Sequence, residues 1–504
     1  MVEIRDVVEV CANMVVNGRP IKDWLKIPGA GFSAFWLGPL AEKNPIKTME
    51  LSGEIGKRTG IAFTFLAFIQ IMYRMIMVRV ALGWAGKTIA EDGLACVSYF
   101  PYVEPTNAAN GFFSNLYFYP LQKLWRSNDK LVHWLIIHVN VDGYTFSKSV
   151  RLARRFKLKG ERMDFLESFV GPKQLVVIFL AILFRWFLYL TLRSGIRRQL
   201  DVVLKFPRDR TLSVELIRRT FYGPEAVRGL FYCLAFSKAF GLMCSNAKCL
   251  YLAEMQSWEA ALNGAAKKHG IQAIGYQHSA ASRSRALVSH GESQMREMPL
   301  PDRLLCDGPD AVLRMKSFGY QNVSMVESIR NLWLAKIPPK VTLVTRRLLV
   351  AGTIMRDETE SIMSILLEAI PGIEKWEILA KWHPSTPINT KDSRIRIVSG
   401  SISNILATCD VVLTGTSSVA AVAMAHGCDV ILPTLNIASR LNILEGYESL
   451  YRNIQTKDDL IYALHWNEEH GMFASYEKKR AFSRSFWCLD SNLPRWRRIL
   501  EMEG

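Results

Sequence analysis

The chain has 504 residues, of which 49% are hydrophobic and 22% are charged, and this composition excludes an intrinsically disordered protein. The length is that of roughly two domains. The net charge of +17 predicts an acidic partner, such as nucleic acid, an anionic membrane surface or a phosphorylated substrate. Nucleic acid is disfavoured, because no basic motif with interleaved aromatic residues is found.

The nine cysteines are scattered and form no CxxC pair, which predicts a reducing compartment with neither a disulfide framework nor a zinc ribbon. The first residues, MVEIRDVVEV, carry acidic groups where a signal peptide has a basic end and an apolar stretch. We therefore expect the protein to stay in the cytoplasm.

Two apolar segments lie in the N-terminal half. The segment 171–198 holds an apolar run from Leu175 to Leu192 that only Arg185 interrupts. As a helix this run reaches roughly 27 Å, just short of a bilayer core, and an arginine near its middle makes a true span expensive. Basic residues on both sides suit a helix in an anionic interface. The segment 61–84 is similar and contains Arg74 and Arg79.

The alternative is that both segments are buried helices of a large domain. The pair of them in one half of the chain favours attachment of that half to the inner face of the plasma membrane, with 175–192 as a candidate membrane segment.

The middle of the chain alternates strands and helices. CLYLAE, IQAIGYQHS, PDRLLCDG and QNVSMVES predict strands, and SWEAALNGAAKKHG predicts a helix that ends at Gly270. The first 240 residues show no clean alternation. A basic, proline-containing stretch near 337–340 predicts the boundary between an N-terminal domain, 1–338, and a C-terminal domain, 339–504.

The C-terminal domain alternates more regularly. RLLVAG, WEILAKWHP, RIRIV, DVVLTG and DVILP predict strands, with helices between them that include SSVAAVAMAHG, closed by Gly427. This pattern indicates an α/β fold with two parallel, Rossmann-type sheets whose faces are covered by helices.

Polar residues follow these strands, at the edge where ligands bind in open parallel sheets. In the first domain they are Glu254, His278 and Asp307, and in the second they are Gly352, Thr353, His383, Pro384, Gly415, Thr416, Ser417 and Ser418.

The turn TGTSS is the most specific of these features. Gly415 allows close approach of the backbone, and three hydroxyls stand beside the free N–H groups of the following helix, which favours phosphate binding. The alternative is that Thr416 or Ser417 only caps the helix. His383 follows a neighbouring strand, where Pro384 holds its backbone extended, so that its imidazole is placed to reach the same phosphate.

Glu254 is a candidate general base, with Asp307 and Glu327 as competing carboxylates, and His278, which follows the strand IQAIGY, is a further catalytic candidate. In the alternative role, Glu254 compensates the partial positive charge at the N-terminus of the following helix, together with Ser257 or Glu259. The chain has no GxxxxGK[ST] loop, no GxGxxG after a strand and no HExxH, so we predict no bound cofactor and no metal.

WHP and TGTSS resemble the HP and SS motifs of bacterial sialyltransferase-like and Kdo-transferase-like enzymes of the GT-B glycosyltransferase architecture. EMQSWEAALNGAAKKHGIQAIGYQHSA and FWLGPLAEKNPIK are similar to a group of bacterial surface carbohydrate biosynthesis proteins. The resemblance implies two domains that face a cleft, an acceptor side and a nucleotide-sugar side, with His383, Ser417 and Ser418 on the phosphate of a CMP-sugar. The C-terminal helix would pack back on the first domain. The acidic D/E-D-G motif of the sialyltransferases is matched only by CDGPD at Cys306 to Asp310.

The resemblance implies a metal-independent glycosyltransferase that transfers a sugar, a CMP-activated nonulosonic acid of sialic or Kdo type, to a lipid-linked or glycan acceptor of a surface polysaccharide such as capsule or lipopolysaccharide. Two alternatives remain open at this point. One is a polyol-phosphate transferase that uses CDP-glycerol. The other is a nonenzymatic, membrane-bound assembly component that retains the fold.

Overall fold

The computed structural model describes residues 10–27, 32–37, 60–84, 89, 93–140, 143–204, 207–254, 256–278, 298–337, 344–384, 386–390, 392–415, 417–435 and 442–501. These residues divide into two compact units. The first contains most of the chain up to Leu305, together with 315–324, and the second contains Cys306–Arg314 and the chain from Met325 onward.

The first unit is built around a seven-stranded sheet. A small hairpin of β1 and β2 precedes it in the chain. The strands of the first part of the chain are β1 (Val15–Val16), β2 (Arg19–Pro20), β3 (Leu94–Phe100), β4 (His133–His138), β5 (Met163–Phe165), β6 (Lys248–Leu252), β7 (Gln272–Gln277), β8 (Arg303–Cys306) and β9 (Val323–Met325). The order in the large sheet is β5-β4-β3-β6-β7-β8-β9, and the pairs from β5 to β7 run parallel.

The helices of this part are α1 (Ile21–Trp24), α2 (Ile61–Leu82), α3 (Pro105–Ala109), α4 (Tyr119–Ser127), α5 (Phe146–Leu158), α6 (Pro172–Val203), α7 (Pro207–Phe221), α8 (Pro224–Phe240), α9 (Ser257–His269) and α10 (Pro309–Ser317). The two longest, α2 and α6, coincide with the apolar segments of the sequence. Helix α9 ends at Gly270, which takes the left-handed conformation that the sequence predicts for it.

The second unit is built around a six-stranded parallel sheet. Its strands are β10 (Arg347–Ala351), β11 (Glu377–Lys381), β12 (Ile395–Ile397), β13 (Val411–Thr414), β14 (Asp429–Pro433) and β15 (Arg452–Ile454), in the order β12-β11-β10-β13-β14-β15. Its helices are α11 (Arg356–Ala369), α12 (Ile402–Leu406), α13 (Ser418–Ala425), α14 (Lys457–His470), α15 (Tyr476–Phe486) and α16 (Pro494–Ile499).

Buried side chains cover both faces of this second sheet. Leu349 and Val412 pack with α13 and α15 on one face, whereas Leu348 and Val350 pack with α11 and α14 on the other. Strands buried on both faces are characteristic of parallel sheets. The predicted α/β fold with two Rossmann-type parallel sheets and two apolar helices in the N-terminal half is therefore confirmed. That the two domains face a cleft stays a prediction, as does the domain boundary at 338.

Candidate functional site

The residues that follow β6 and β7 form a close polar pair in the first unit. The Nε2 atom of His278 lies 3.3 Å from Oε1 of Glu254. Because β6 and β7 are parallel neighbours, their carboxyl ends bring the two side chains to the same edge of the sheet. The Glu254 side chain is 20% exposed and that of His278 is 2% exposed. Glu254 is thus the member of the pair that a ligand can reach, and His278 supports it from within.

The start of α9 has its own acidic partner. Oε1 of Glu259 accepts hydrogen bonds from the backbone N–H groups of Glu254, at 2.8 Å, and Gln256, at 2.9 Å. Glu259 therefore satisfies the helix N-terminus, which was the alternative role for Glu254. This leaves the Glu254 carboxylate available for other chemistry.

Aromatic groups surround the pair. The Tyr117 ring lies edge-on to the His278 ring, with centroids 5.5 Å apart. Burial, together with the negative charges of Glu254 and Glu259, raises the pKa of Tyr99 well above its usual value. The Tyr99 hydroxyl accepts a hydrogen bond of 3.1 Å from Trp258 Nε1. Aromatic side chains, among them Tyr99 and Tyr117, therefore lie near Glu254 and His278.

Asp307 follows β8 and is buried. Its Oδ2 accepts a hydrogen bond of 3.0 Å from the Ser328 hydroxyl, and its backbone carbonyl accepts one of 2.9 Å from the Cys488 N–H. Burial raises the pKa of its carboxyl to about 7. A Cβ on the next residue, Gly308, would stand 2.0 Å from the Phe486 carbonyl oxygen, which shows how tightly this corner is packed. These contacts give Asp307 a packing role.

Glu327, the other competing carboxylate, anchors the C-terminal helix. Its side chain is fully buried and accepts hydrogen bonds from Arg495 Nη1, at 2.9 Å, and from the Trp496 N–H, at 3.3 Å. These bonds tie it to the first turn of α16. Glu254 is consequently the carboxylate that stands nearest to solvent among the three candidates.

In the second unit, the loops after β10 and β11 are joined to each other. The Thr386 hydroxyl donates a 2.6 Å hydrogen bond to the Thr353 carbonyl, and the Thr386 N–H donates one of 2.9 Å to the His383 carbonyl. The Gly352 N–H donates to the Lys381 carbonyl at 2.9 Å. The half-buried His383 and the exposed Pro384 therefore stand directly beside the end of β10.

Gly352 and Thr353 are engaged locally. A Cβ on Gly352 would lie 3.1 Å from the Trp382 ring, so the glycine packs closely against this ring. The Thr353 hydroxyl donates to the Met355 carbonyl and accepts from the Met355 N–H, each at 3.1 Å. These two residues shape the loop beside His383.

Ser417 is the N-cap of α13, and its Oγ accepts a hydrogen bond of 3.3 Å from the Val419 N–H. This is the capping role that the sequence offered as the alternative. Ser418 is the exposed first residue of the helix, and Thr416 lies outside the described residues. The Thr414 hydroxyl donates to the Ala351 carbonyl at 2.9 Å and holds this turn beside β10. One predicted hydroxyl, that of Ser418, faces solvent at the helix start.

A carboxylate that the sequence interpretation missed lies against this turn. Glu358, near the start of α11, is 5% exposed, and a Cβ on Gly415 would stand only 2.4 Å from its Cδ and Oε1 atoms. A larger residue at position 415 would therefore require the Glu358 side chain to shift, because that side chain occupies the space beside the glycine. The sequence feature that could have identified Glu358 is its position in the first turn of the helix after β10, at the same sheet edge.

Within the described ranges, no group of three or more histidine, cysteine, aspartate or glutamate side chains is arranged to hold a metal ion. The predicted metal independence stays a prediction.

Comparison with known proteins gives structural likeness only. No family model matches the chain, and no curated protein sequence matches it. Among solved structures, UDP-GlcNAc 2-epimerase from Methanocaldococcus jannaschii aligns with 12% identity over 81% of this chain and 99% of its own, with a TM-score of 0.43. A glycosyltransferase from Rickettsia africae aligns with 10% identity over 82% of this chain and 100% of its own, with a TM-score of 0.40. The lipopolysaccharide outer core galactosyltransferase WaaB has 9% identity over 81% and 99% of the two chains, with a TM-score of 0.40. Likeness at this level assigns neither a family nor an activity to this chain.

Proposed function

We propose that the protein is a metal-independent glycosyltransferase that transfers a sugar, a CMP-activated nonulosonic acid of sialic or Kdo type, to a glycan or lipid-linked acceptor of a bacterial surface polysaccharide. It would act in the cytoplasm at the anionic inner face of the plasma membrane. The observation that carries this proposal is the Glu254–His278 pair at 3.3 Å, because a partly exposed carboxylate supported by a buried imidazole is what a general base requires.

In the proposed reaction, Glu254 takes the proton of an acceptor hydroxyl as the acceptor oxygen bonds to the anomeric carbon of the donor. The bond from that carbon to the phosphate oxygen breaks, and CMP leaves with the electron pair. His278 holds the Glu254 carboxylate in place. The product is a glycoside, and the proton remains on Glu254 until it is released to water.

The second unit supplies the groups for the leaving phosphate. His383 and the exposed hydroxyl of Ser418, at the N-terminal end of α13, are suited to stabilise negative charge on the phosphate. Gly352, Thr353 and Pro384 shape the loops that hold these groups.

The test is calorimetric titration of the full chain with CMP, CDP, UDP and GDP. We expect CMP to bind most tightly and His383→Ala to weaken its binding by about tenfold or more, which corresponds to the loss of one charge-assisted hydrogen bond. His470→Ala is the matched control, because His470 is an exposed histidine at the end of α14.

Absence of nucleotide binding, or unchanged binding by His383→Ala, would contradict the donor site. A preference for CDP over CMP would contradict the sugar-acid donor and would favour polyol-phosphate transfer.

A further inference from the structure

Helix α6 has two faces with opposite environments. Buried residues recur every three or four positions along its whole length, and they are Leu175, Ile178, Ile182, Arg185, Tyr189, Leu192, Ile196 and Leu200. Large apolar side chains are exposed between them, and they are Val176, Val177, Phe179, Leu180, Phe184, Phe187 and Leu190. Each set forms a single stripe on a helix of 3.6 residues per turn. The helix is therefore docked lengthwise on the protein and presents an apolar face outward.

The docked face of α6 includes the arginine that interrupts the apolar run. Arg185 is 7% exposed and neighbours Cys233 of α8, one of the helices on which α6 packs. Toward the end of α6, a Cβ on Gly195 would stand 2.6 Å from Cγ1 of Val16, so this glycine allows the β1 strand to pack closely. The Arg185 charge therefore faces protein.

The protein that backs α6 is too polar for a bilayer interior. Helix α7 packs along α6, and it carries Glu215 in ion pairs of 2.6 Å with Arg218 and 2.9 Å with Arg219. A helix fixed lengthwise to such a partner cannot cross a membrane without carrying these charges into the hydrocarbon core. This packing excludes a span by α6 alone.

Helix α2 is built in the same way. Its buried residues are Thr64, Ile71, Met75 and Val78, and its exposed apolar residues are Leu66, Ile69, Tyr73, Ile76 and Val80. It packs on α8, on α5 and on the 3-10 helix Leu166–Phe169. Both long helices thus pack on α8 with one face and leave the other uncovered.

The two helices run antiparallel and touch each other. The Phe179 ring of α6 lies 6.1 Å from the ring of Phe65 and 5.7 Å from that of Phe68 in α2, between ring centroids. Near the other end of α2, the Arg79 guanidinium donates to the carbonyl of Val170, just before α6 begins. We call the exposed residues of α2 and α6 named above, on these two helices in contact, the apolar surface. Exposed apolar side chains in this number on neighbouring elements mark an interaction site.

The charges of the two helices are mainly positive. Lys173, Arg193, Arg197 and Arg198 of α6 are exposed. The one acidic residue of α2 and α6 is Asp201, near the end of α6, which forms an ion pair of 3.2 Å with Arg210. Apolar side chains flanked by cations match the interface of a bilayer that contains anionic lipids. A protein partner would need an acidic rim around an equally large apolar patch, whereas an anionic leaflet provides both.

We propose that α2 and α6 lie in the plane of an anionic lipid leaflet, with the apolar surface inserted among the acyl chains near the head groups, and that neither helix crosses the membrane. The +17 net charge of the chain adds long-range attraction to the same leaflet.

This placement also brings the carboxyl-end edge of the first sheet close to the leaflet. Helix α2 packs on the 3-10 helix that directly follows β5, at the carboxyl ends of the parallel strands β3 to β7. Glu254 and His278 lie at that same edge. If the proposed function holds, the leaflet flanks the candidate base and delivers a lipid-linked acceptor to it; the membrane binding itself does not depend on that function.

The first test is co-sedimentation of the purified full chain with two kinds of vesicle. One contains phosphatidylcholine alone, and the other contains phosphatidylcholine with about 30% phosphatidylglycerol. We expect binding that anionic lipid strengthens, and at least a tenfold loss in the double variant Phe184→Glu and Phe187→Glu. Both phenylalanines are 65% exposed, so the variant is expected to fold. Tyr462→Glu, at a 71% exposed tyrosine of α14, is the control. Equal binding by parent and double variant, or no binding to anionic vesicles, would overturn the proposal that the apolar surface inserts into the leaflet.

The second test separates a helix that lies in the leaflet from one that spans it. Lys173→Cys and Arg198→Cys mark the two ends of α6. Each is made in a chain that also carries Cys244→Ser, which removes the exposed cysteine of the described residues. On sealed vesicles with the cytoplasmic face outward, a membrane-impermeant maleimide should label both sites without detergent. Labelling of only one end would show a span and overturn the proposal. Neither test measures nucleotide binding. A failure of the membrane proposal can therefore be distinguished from a failure of the proposed function.

Discussion

At the scale of single residues, the choice of the candidate general base depends on which carboxylate has no structural role. Glu259 satisfies the start of α9, Glu327 anchors α16, and Asp307 is buried against Ser328. Glu254 has none of these tasks and instead meets His278. A partly exposed carboxylate with a buried partner can be rigid and reachable at once, which is what proton transfer from an acceptor requires.

Substitutions in this pair should separate its two roles. Glu254→Gln keeps the shape and removes the base, so kcat should fall by about 10² to 10⁴ while the Kd for CMP stays at the parent value. His278→Ala should lower kcat by roughly tenfold, because an unsupported carboxylate is held less well. His278→Gln, whose amide N–H can still donate to the carboxylate, should restore part of the loss.

Steady-state kinetics and calorimetry on the same preparations measure these effects. A loss of CMP binding in step with kcat would show that the variants disturb the fold, and equal kcat in the parent and Glu254→Gln would remove Glu254 from the mechanism.

Asp307 predicts a pH dependence of stability. Its folded-state pKa, about 7, lies above the ordinary value of about 3.9, so the folded protein binds more protons between roughly pH 4 and pH 7. Stability must therefore fall as the pH rises through this window. Asp307→Asn should raise Tm relative to the parent at pH 8 and have a clearly smaller effect at pH 5, as thermal unfolding at both pH values would show. Asp129→Asn, at an exposed aspartate, is the control, and a parallel shift of the Asp307→Asn and parent curves would contradict the assignment.

At the scale of secondary-structure elements, the second sheet is held together by a buried polar network. Oδ1 of Asp429, in β14, accepts from Lys479 of α15, and its Oδ2 accepts from the N–H of Phe473 at 2.9 Å; both members of the ion pair are fully buried. The Lys479 ammonium also donates to the Gly427 carbonyl at 3.0 Å. This network fixes the C-terminal helices to the strand next to the candidate phosphate turn.

Breaking the buried pair should therefore be costly. Lys479→Met leaves the Asp429 charge buried without its cation, and the free energy of unfolding should fall by about 3 to 5 kcal/mol. Urea denaturation measures the change, with Lys478→Met at the exposed neighbouring position as the control, expected within about 0.5 kcal/mol of the parent. Asp429→Asn combined with Lys479→Met removes both charges and should recover part of the stability; no recovery would show that packing, not charge, causes the loss.

The fit between α11 and the turn before α13 gives a second prediction at this scale. Gly415→Ala would place a Cβ 2.4 Å from the Glu358 carboxyl and should cost about 1 to 3 kcal/mol of stability. In a double-mutant cycle, Glu358→Ala should relieve most of that cost, because it removes the atoms that the new methyl group meets. Additive effects of the two substitutions, measured by denaturation, would show that Glu358 does not stand against Gly415.

At the scale of the whole molecule, the sequence was most informative where buried strands end in glycine or in a polar pair. Strands β6 to β14 were predicted from the sequence, and most of them are short apolar runs with a clear end, whereas β15, with the sequence RNI, has no such signal and was not predicted. Strands β3, β4 and β5 were not, because β4 begins and ends with histidine, β5 has three residues, and long irregular connections separate them.

The site was only partly predictable from the sequence. The pairing of Glu254 with His278 follows from adjacent parallel strands, whereas the choice between Glu254 and Glu259 as the cap depends on side-chain geometry. The approach of Glu358 to Gly415 joins positions 57 residues apart in the chain and has no local signal. Likewise, hydropathy identified α2 and α6, but only the alternation of buried and exposed residues shows that both helices are docked on the protein.

The most direct test of the central claim is transfer itself. The full chain would be incubated with a radiolabelled CMP-nonulosonic acid and bacterial membranes that contain lipid-linked acceptors, and label in the lipid and polysaccharide fractions would be measured against Glu254→Gln. We predict transfer by the parent, with release of CMP, and at least a hundredfold slower transfer by the variant. Absence of transfer from any CMP-sugar, or transfer by Glu254→Gln at the parent rate, would contradict the assignment.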